Sequence, residues 1–180
     1  MIPAGGGILQ ASVPNSSGSA DSRGFARLEK RIPRADLITL ELDVAVDTIP
    51  LAQTQVLAIQ FVGSASISLV IQGTDAGSIG ALVGQTFDPL GAETSSFSDR
   101  LPGIKAGMGF QRFRLALDLK KGRVSLLVDG QPVLPEKPLG LTIPATPPEV
   151  TAMAGVVYAD PATTCLLRVR NVVFDVRASP

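Results

Sequence analysis

A strict alternation of apolar and polar residues from Asp36 to Asp47 is the feature that most constrains the fold of this chain. Apolar side chains take one parity and polar side chains the other: Ile38, Leu40, Leu42, Val44 and Val46 against Thr39, Glu41, Asp43 and Asp47. Successive side chains of a β-strand point to opposite faces. The pattern therefore predicts a strand with one face on a core and the other in water.

The same alternation recurs along the chain, and turn-forming residues separate the runs. Gly63-Ser64 is expected to join two runs as a tight hairpin turn. Asp129-Gly130 supplies the two positive-φ positions of a type I′ hairpin turn. The further predicted strands are residues 54–62, 65–71, 79–87, 111–119, 123–128, 131–134, 152–158 and 165–177.

About ten short strands without a credible helix predict an all-β fold. Two antiparallel sheets packed around one core are the economical arrangement at this length. We assign residues 23–178 to this single β-sandwich domain. Residues 11–22 are rich in Ser and also contain Gly, Pro and Asn, a composition that predicts a flexible N-terminal tail or linker over residues 1–22.

Two irregularities interrupt the regular pattern. The apolar residues of the last strand change parity between Val169 and Val172. One register cannot bury both sets, so we expect a β-bulge near Arg170 and Asn171. Pro, Gly and Ser residues from Asp88 to Gly109 predict a long irregular loop, a kind of segment that often has a function.

The stretch from Phe113 to Gly130, FRLALDLKKGRVSLLVDG, resembles the strand, basic turn, strand and Val-Asp-Gly hairpin of concanavalin A-like domains. Residues 40–44 resemble an early long strand of these domains, and residues 169–174 resemble their closing strand. The superfamily includes legume lectins, laminin G modules, pentraxins and some glucanases. The resemblance implies a jelly-roll sandwich over residues 24–177 and says little about function, because such folds host many functions.

Composition excludes several classes of function. Lys plus Arg and Asp plus Glu are 16 each, so general affinity for nucleic acid or anionic lipid has no support. The chain contains no His, which removes Ser-His-Asp, Cys-His and His-metal sites. Its single cysteine, Cys165, is interpreted as a small buried hydrophobe. No stretch is long and apolar enough for a membrane-spanning helix, and the N-terminus lacks the features of a signal peptide.

Glu41 and Asp43 are the candidate catalytic pair. Residues two apart on a strand can place their carboxylates about 5 Å apart, the spacing of a retaining glycosidase. Laminarinase-type members of the resembled superfamily carry Glu-x-Asp-x-x-Glu, and only its first half is present here. The alternative is a solvated strand face whose carboxylates pair with arginines of neighbouring strands. The arginines of suitable parity are Arg112, Arg114, Arg123, Arg168 and Arg170.

Loop and strand-end residues supply the candidate ligand-binding set: Phe97, Asp99, Arg100, Tyr158 and Asp160. Saccharide sites in such folds stack a sugar ring on an aromatic face and bind its hydroxyls through polar side chains. The resembled lectins and laminin G modules often hold Ca²⁺ in loops, and Ca²⁺ needs six to eight oxygen ligands. Asp88 and Asp99 are the weak candidates for such a site, and no other cofactor is expected.

These observations lead us to expect a non-catalytic recognition or adhesion module that binds a glycan or a surface protein. Its expected location is extracellular or in the cell envelope. A structural β-sandwich spacer without a ligand is one alternative. A glycoside hydrolase that uses the strand carboxylate pair is the other.

Overall fold

Alternating runs become strands in the computed structural model of the protein, which describes residues 2–3, 9–13, 24–30, 35–48, 54–74, 77–101, 109–143, 149–159 and 165–178. The strands of these residues, in chain order, are β1 (Ile2–Pro3), β2 (Leu9–Val13), β3 (Gly24–Lys30), β4 (Leu37–Thr48), β5 (Thr54–Phe61), β6 (Ala65–Thr74), β7 (Gly77–Phe87), β8 (Glu93–Leu101), β9 (Gln111–Asp118), β10 (Arg123–Val128), β11 (Gln131–Pro138), β12 (Val150–Ala159) and β13 (Cys165–Arg177). Within these ranges the structure has no helix long and apolar enough to cross a membrane.

The strands form two sheets. The larger sheet has the order β1-β2-β13-β4-β9-β10-β11, and the smaller sheet has the order β3-β12-β5-β6-β7-β8. Every strand pairing in the described part of the chain is antiparallel. The predicted all-β fold with two antiparallel sheets is therefore confirmed.

The core lies between the two sheets. Leu40 and Leu42 of β4 and Leu117 of β9 come from the larger sheet, while Ile59 of β5 and Ile67 of β6 come from the smaller one. All five side chains are fully buried in one apolar cluster. Burying each contributes about 2 kcal/mol to the free energy of unfolding. The alternate residues of the same strands face away from this core. On the smaller sheet some of them, such as Ala58, Ser68 and Met153, are also buried, so only part of that outer face is open to a ligand.

The backbone confirms two local predictions. Asp129 and Gly130 both have positive φ, at 52° and 77°, as a type I′ hairpin turn requires. In β13 the pairing with β4 shifts between Arg170 and Val173, and Asn171 has a φ of 51°. This bulge changes the side-chain phase, so apolar residues on both sides of it can reach the core.

The predicted loop from Asp88 to Gly109 is wrong from Glu93 to Leu101. Residues 88–92 form a short turn, and β8 (Glu93–Leu101) then pairs with β7 at the edge of the smaller sheet. An edge strand exposes most of its residues, so β8 is built from Thr, Ser and charged residues and lacks the apolar alternation of a half-buried strand. Residues 102–108 lie outside the described residues.

The predicted tail, residues 1–22, includes two short strands in the described part of the chain. β1 pairs with β2, and β2 pairs with β13 at the margin of the larger sheet. The boundary of the domain near residue 23 stays a prediction.

Candidate functional site

A row of polar side chains crosses the outer face of the smaller sheet. Cross-strand pairing aligns Thr151 with Gln60, Gln60 with Ser66, Ser66 with Gln85, and Gln85 with Ser96. Neighbouring strands are about 4.8 Å apart, so this row spans about 19 Å across five strands. We call this outer face, defined by these five residues, the polar face.

Strand alternation explains why these residues point away from the core. The residues beside them in sequence, such as Ile59, Phe61 and Ile67, belong to the buried apolar cluster. Gln60 is consequently exposed at the surface, whereas Thr151 is buried. The accessible part of the polar face, from Gln60 to Ser96, thus presents amides and hydroxyls, groups that both donate and accept hydrogen bonds.

A cavity of about 550 Å³ opens at one end of the polar face, where the turns after β5 and after β7 meet. Its lining residues are Gln55, Gln60, Phe61, Val62, Gly63, Ser64, Ala65, Ser66, Gln85, Phe87, Asp88, Pro89 and Gly91. The volume lies within the usual range of small-molecule sites. Three glutamines in one cavity suit a ligand rich in hydroxyl and carboxylate groups.

Asp88 holds the turn at the rim of this cavity. Its Oδ1 accepts hydrogen bonds from the backbone N–H of Leu90 at 2.9 Å and of Ala92 at 2.8 Å. The backbone N–H of Gly91 also donates to the Asp88 carbonyl at 2.9 Å. These contacts fix the shape of the turn.

Glu93 begins β8 beside the polar row. Gln85 Nε2 donates a hydrogen bond to Glu93 Oε2 at 2.6 Å. Hydrogen bonds from Ser96 and then from Gln85 lower the pKa of Glu93 below its usual value. Glu93 is therefore ionised at neutral pH and has no proton to donate to a substrate.

The outer face of the larger sheet differs from the polar face, because it carries a network of ion pairs. Arg112 Nη2 lies 2.8 Å from Glu41 Oε2, and Arg112 Nη1 lies 3.0 Å from Asp43 Oδ1. The Nε atom of Arg114 lies 3.1 Å from Glu41 Oε1. We call this surface the charged face. It comprises Glu41, Asp43, Asp47, Arg112, Arg114, Arg168 and Arg170.

Asp43 is the most enclosed carboxylate of the charged face, with 11% of its side chain exposed. Besides Arg112, its partners are Arg170, whose Nε lies 3.2 Å from Oδ2, and Asn171, whose Nδ2 donates to Oδ2 at 2.7 Å. Burial raises the pKa of Asp43, but the hydrogen bonds from Asn171, Arg112 and Arg170 together outweigh it and leave the pKa lowered. A retaining glycosidase needs one carboxyl with a raised pKa. The lowered pKa of Asp43 and the shared partner Arg112 disfavour that mechanism here.

Replacing Asn171 by glycine tests the contribution of the amide. Glycine tolerates the φ of 51° at this bulge, so the substitution removes the hydrogen bond to Asp43 without straining the backbone. We expect the free energy of unfolding to fall by about 1 to 2 kcal/mol, because the bond is made to a charged group. Urea denaturation at neutral pH measures this change. Unaltered stability would show that the arginines alone satisfy Asp43.

The structure does not bring the predicted ligand-binding residues together. Phe97 and Asp99 lie on the side of β8 that faces the core, and both contact Lys137 of β11: its Nζ lies 5.4 Å from the ring centroid and 2.5 Å from Asp99 Oδ2. Arg100, one residue further, lies exposed on the opposite side of the strand. The backbone register places Tyr158 opposite Gln55 in the smaller sheet, and Asp160 lies outside the described residues.

The weak Ca²⁺ candidates Asp88 and Asp99 lie in different parts of the sandwich. Asp88 holds the turn between β7 and β8, whereas Asp99 pairs with Lys137. The described residues contain no group of three or more Asp, Glu, Cys or His side chains that could hold a metal ion.

The residues of the polar row were missed in the sequence. Alternation does place Gln60 and Ser66 at outward positions of predicted strands, but it does not do so for Gln85, which shares the parity of Ile79 and Val83. Only the register between strands shows that they form one continuous row, and the register depends on contacts between residues that are distant in sequence.

Sequence comparison finds no relative: no family model matches the chain, and no curated protein matches it. Solved structures do resemble it. A family 7 alginate lyase in complex with substrate has a TM-score of 0.64 and 13% identity, with 96% of this chain and 78% of that chain covered. A polysaccharide lyase of family 18 gives a TM-score of 0.56 and 12% identity, covering 98% and 90%. The galectin LEC-6 of Caenorhabditis elegans gives 0.53 and 10%, covering 86% and 94%. The likeness shows that the protein has the concanavalin A-like jelly-roll fold that its sequence resembles.

The same comparison contradicts our expectation of a non-catalytic recognition or adhesion module. Several of the similar structures are alginate lyases, and another is a polysaccharide lyase, so they are enzymes. The expectation that the protein is not an enzyme is therefore wrong on this finding. The absence of His excludes particular mechanisms and does not exclude catalysis in general.

Proposed function

We propose that the protein is a carbohydrate-active enzyme, a lyase that cleaves a uronic acid polysaccharide by elimination on the polar face. The observation that carries this proposal is the cavity of about 550 Å³ lined by Gln55, Gln60, Ser66 and Gln85. The similarity to alginate lyases supports the substrate class. A location outside the cell or in the cell envelope follows as part of the proposal, because such polysaccharides are met there.

Elimination places defined demands on the site. The proton on the carbon next to the uronate carboxylate is removed, a carbon–carbon double bond forms, and the bond to the glycosidic oxygen breaks. Negative charge builds on the carboxylate during this step, so hydrogen-bond donors held at that position accelerate it. The amide groups of Gln60 and Gln85 are the proposed donors, since both residues line the cavity and an amide carries two N–H bonds, one of which Gln85 donates to Glu93.

Tyr158 is the proposed proton carrier. It is the only tyrosine of a chain without histidine, and its backbone pairs with that of Gln55, a residue of the cavity. A phenolate can take the proton from carbon, and the resulting phenol can return it to the leaving glycosidic oxygen. This transfer closes the proton balance without another reactant. Phenols titrate on the alkaline side of neutrality, so the rate should rise with pH.

The direct test incubates the purified protein with alginate and other uronic acid polysaccharides. The product has a double bond conjugated to its carboxylate, so ultraviolet absorbance should rise together with the number of reducing ends. Tyr158→Phe should lower kcat by about 10²-fold or more and abolish the rise with pH. Gln60→Leu should lower kcat/KM by about tenfold or more, and Gln131→Leu, on an exposed hairpin of the other sheet, serves as its matched control.

Two outcomes contradict the proposal. Reducing ends that accumulate without ultraviolet absorbance would show hydrolysis, which favours the glycosidase alternative. A protein that leaves every tested uronic acid polysaccharide intact, while its circular dichroism shows a folded β-protein, would remove the lyase proposal.

A further inference from the structure

The charged face is layered by depth. The side chains of its three carboxylates, Glu41, Asp43 and Asp47, are 11–28% exposed. The side chains of its four arginines, Arg112, Arg114, Arg168 and Arg170, are 36–52% exposed. The acids thus lie deeper and the guanidinium groups lie outside, so a ligand that approaches this sheet meets positive charge first. The charged face has four arginines and three carboxylates, so its net positive charge also favours an anionic ligand.

Each guanidinium is held in place by the carboxylate layer. Arg168 makes two parallel contacts with Asp47, both at 2.8 Å. In the described part of the chain, Arg114 and Arg170 use only Nε, toward Glu41 at 3.1 Å and Asp43 at 3.2 Å. Their terminal Nη1 and Nη2 groups have no partner there. These groups are therefore oriented in advance, and none of the described residues occupies them as donors to an anion.

Phe110 stiffens one side of this array. The Cζ atom of Arg170 lies 3.9 Å from the centroid of the Phe110 ring, and that of Arg168 lies 5.2 Å from it. Stacking of this kind holds a guanidinium flat without using its N–H groups. It also occupies part of the ring, which leaves Phe110 less aromatic surface on which a nucleobase could stack.

We propose that the charged face is a second binding site for an acidic polysaccharide, on the opposite side of the sandwich from the polar face. Carboxylate or sulfate groups of the polysaccharide would accept hydrogen bonds from the Nη groups of Arg114 and Arg170. Planar, forked donors match such oxygen pairs. The neutral net charge of the whole chain and the guanidinium groups on the Phe110 ring disfavour a nucleic acid in this position. The binding does not depend on catalysis at the polar face.

The test measures binding of alginate, a sulfated polysaccharide and a neutral polysaccharide by isothermal titration calorimetry, in the Gln60→Leu/Tyr158→Phe background that disables the polar face. Binding of the acidic polysaccharides should persist in this background and weaken as salt rises. Comparison of alginate with the sulfated chain shows which acidic group the arginines prefer. Arg114→Gln should weaken binding by about tenfold or more, because it removes charge-assisted hydrogen bonds.

Matched controls separate this site from general charge. Arg114→Lys keeps the charge but removes the forked donor, so it should recover only part of the affinity. Lys120→Gln/Lys121→Gln removes two charges from the exposed turn between β9 and β10, outside the charged face, and should leave the affinity within about twofold.

Several results overturn the proposal. The proposal fails if the disabled background does not bind acidic polysaccharide. It also fails if this background binds the neutral polysaccharide or single-stranded DNA as tightly as it binds the acidic polysaccharides. Loss of affinity in the lysine control as large as in Arg114→Gln would also overturn it. Because the background protein lacks the proposed catalytic groups, failure here leaves the lyase proposal to its own test.

Discussion

Replacing Gly84 by alanine or valine will destabilise the protein strongly, although valine is a good strand residue. A Cβ atom at Gly84 would lie 2.2 Å from Phe97 Cε1, 2.8 Å from Phe97 Cζ and 2.7 Å from Leu141 Cδ1. Phe97 lies directly opposite Gly84 on β8 and packs against the core, so its ring must move. Such overpacking costs about 1 to 3 kcal/mol, with valine at the upper end. Urea denaturation followed by circular dichroism measures the loss.

Two controls identify the cause. Ala81→Val adds similar volume to the outward side of the same strand, and it should change the free energy of unfolding by less than about 0.5 kcal/mol. The double variant Gly84→Ala/Phe97→Leu replaces the ring by a smaller side chain. In the Phe97→Leu background, Gly84→Ala should therefore lower the free energy of unfolding by less than it does in the wild type. If Gly84→Ala costs the same with Phe97 or with leucine at position 97, the close approach of the ring is not the reason for this glycine.

Gly84 shows which part of the fold the sequence could predict. A strand over residues 79–87 was predicted, because this prediction depends only on residues that are close in sequence. The reason for the glycine could not be predicted, since it lies in a ring that the pairing of β8 brings to it. The aromatic side chain fills the space that a side chain at Gly84 would occupy, an arrangement that stabilises glycines in sheets.

The error at β8 has a related cause. A strand at the edge of a sheet, with most of its residues in water, has no need of apolar alternation, and its Ser and Thr residues resemble those of a loop. The bulge in β13 was predictable, because there the change of phase is written in the apolar residues on both sides of Asn171. Burial of one face thus produces a recognisable pattern of apolar residues in the sequence. A strand that pairs at an exposed edge produces almost no such pattern.

The two outer faces differ in the same way. The charged face was predicted as carboxylates paired with arginines of neighbouring strands, and the pairs of Glu41, Asp43 and Asp47 confirm that alternative for the strand. Opposite charges at outward positions can be recognised in the sequence before the pairing register of the strands is known. The polar face consists of single Gln, Ser and Thr residues, each unremarkable in its own strand, and only strand pairing aligns them.

The second large effect that we expect is a loss of stability when Asp43 is replaced. Asp43→Asn should lower the free energy of unfolding at pH 7 by about 2 to 4 kcal/mol, because it removes one partner of an enclosed ion-pair cluster. Arg112 and Arg170 both lose their contact with a full negative charge, and Asn171 loses a charged acceptor. The matched control is Asp47→Asn, which removes a more exposed carboxylate with a single arginine partner and should cost about 1 kcal/mol or less.

The pH dependence of this difference tests its electrostatic origin. The pKa of Asp43 is lower in the folded protein than its ordinary value, so the unfolded chain binds the proton more readily. The stability that Asp43 contributes is therefore fully present above about pH 4, and it is lost as pH falls through the lower pKa of the folded state. Wild-type protein and Asp43→Asn should converge in stability on acidification, as measured by urea denaturation from pH 7 downward. A gap that stays constant down to the lowest pH at which both proteins fold would show that shape, rather than charge, makes Asp43 necessary.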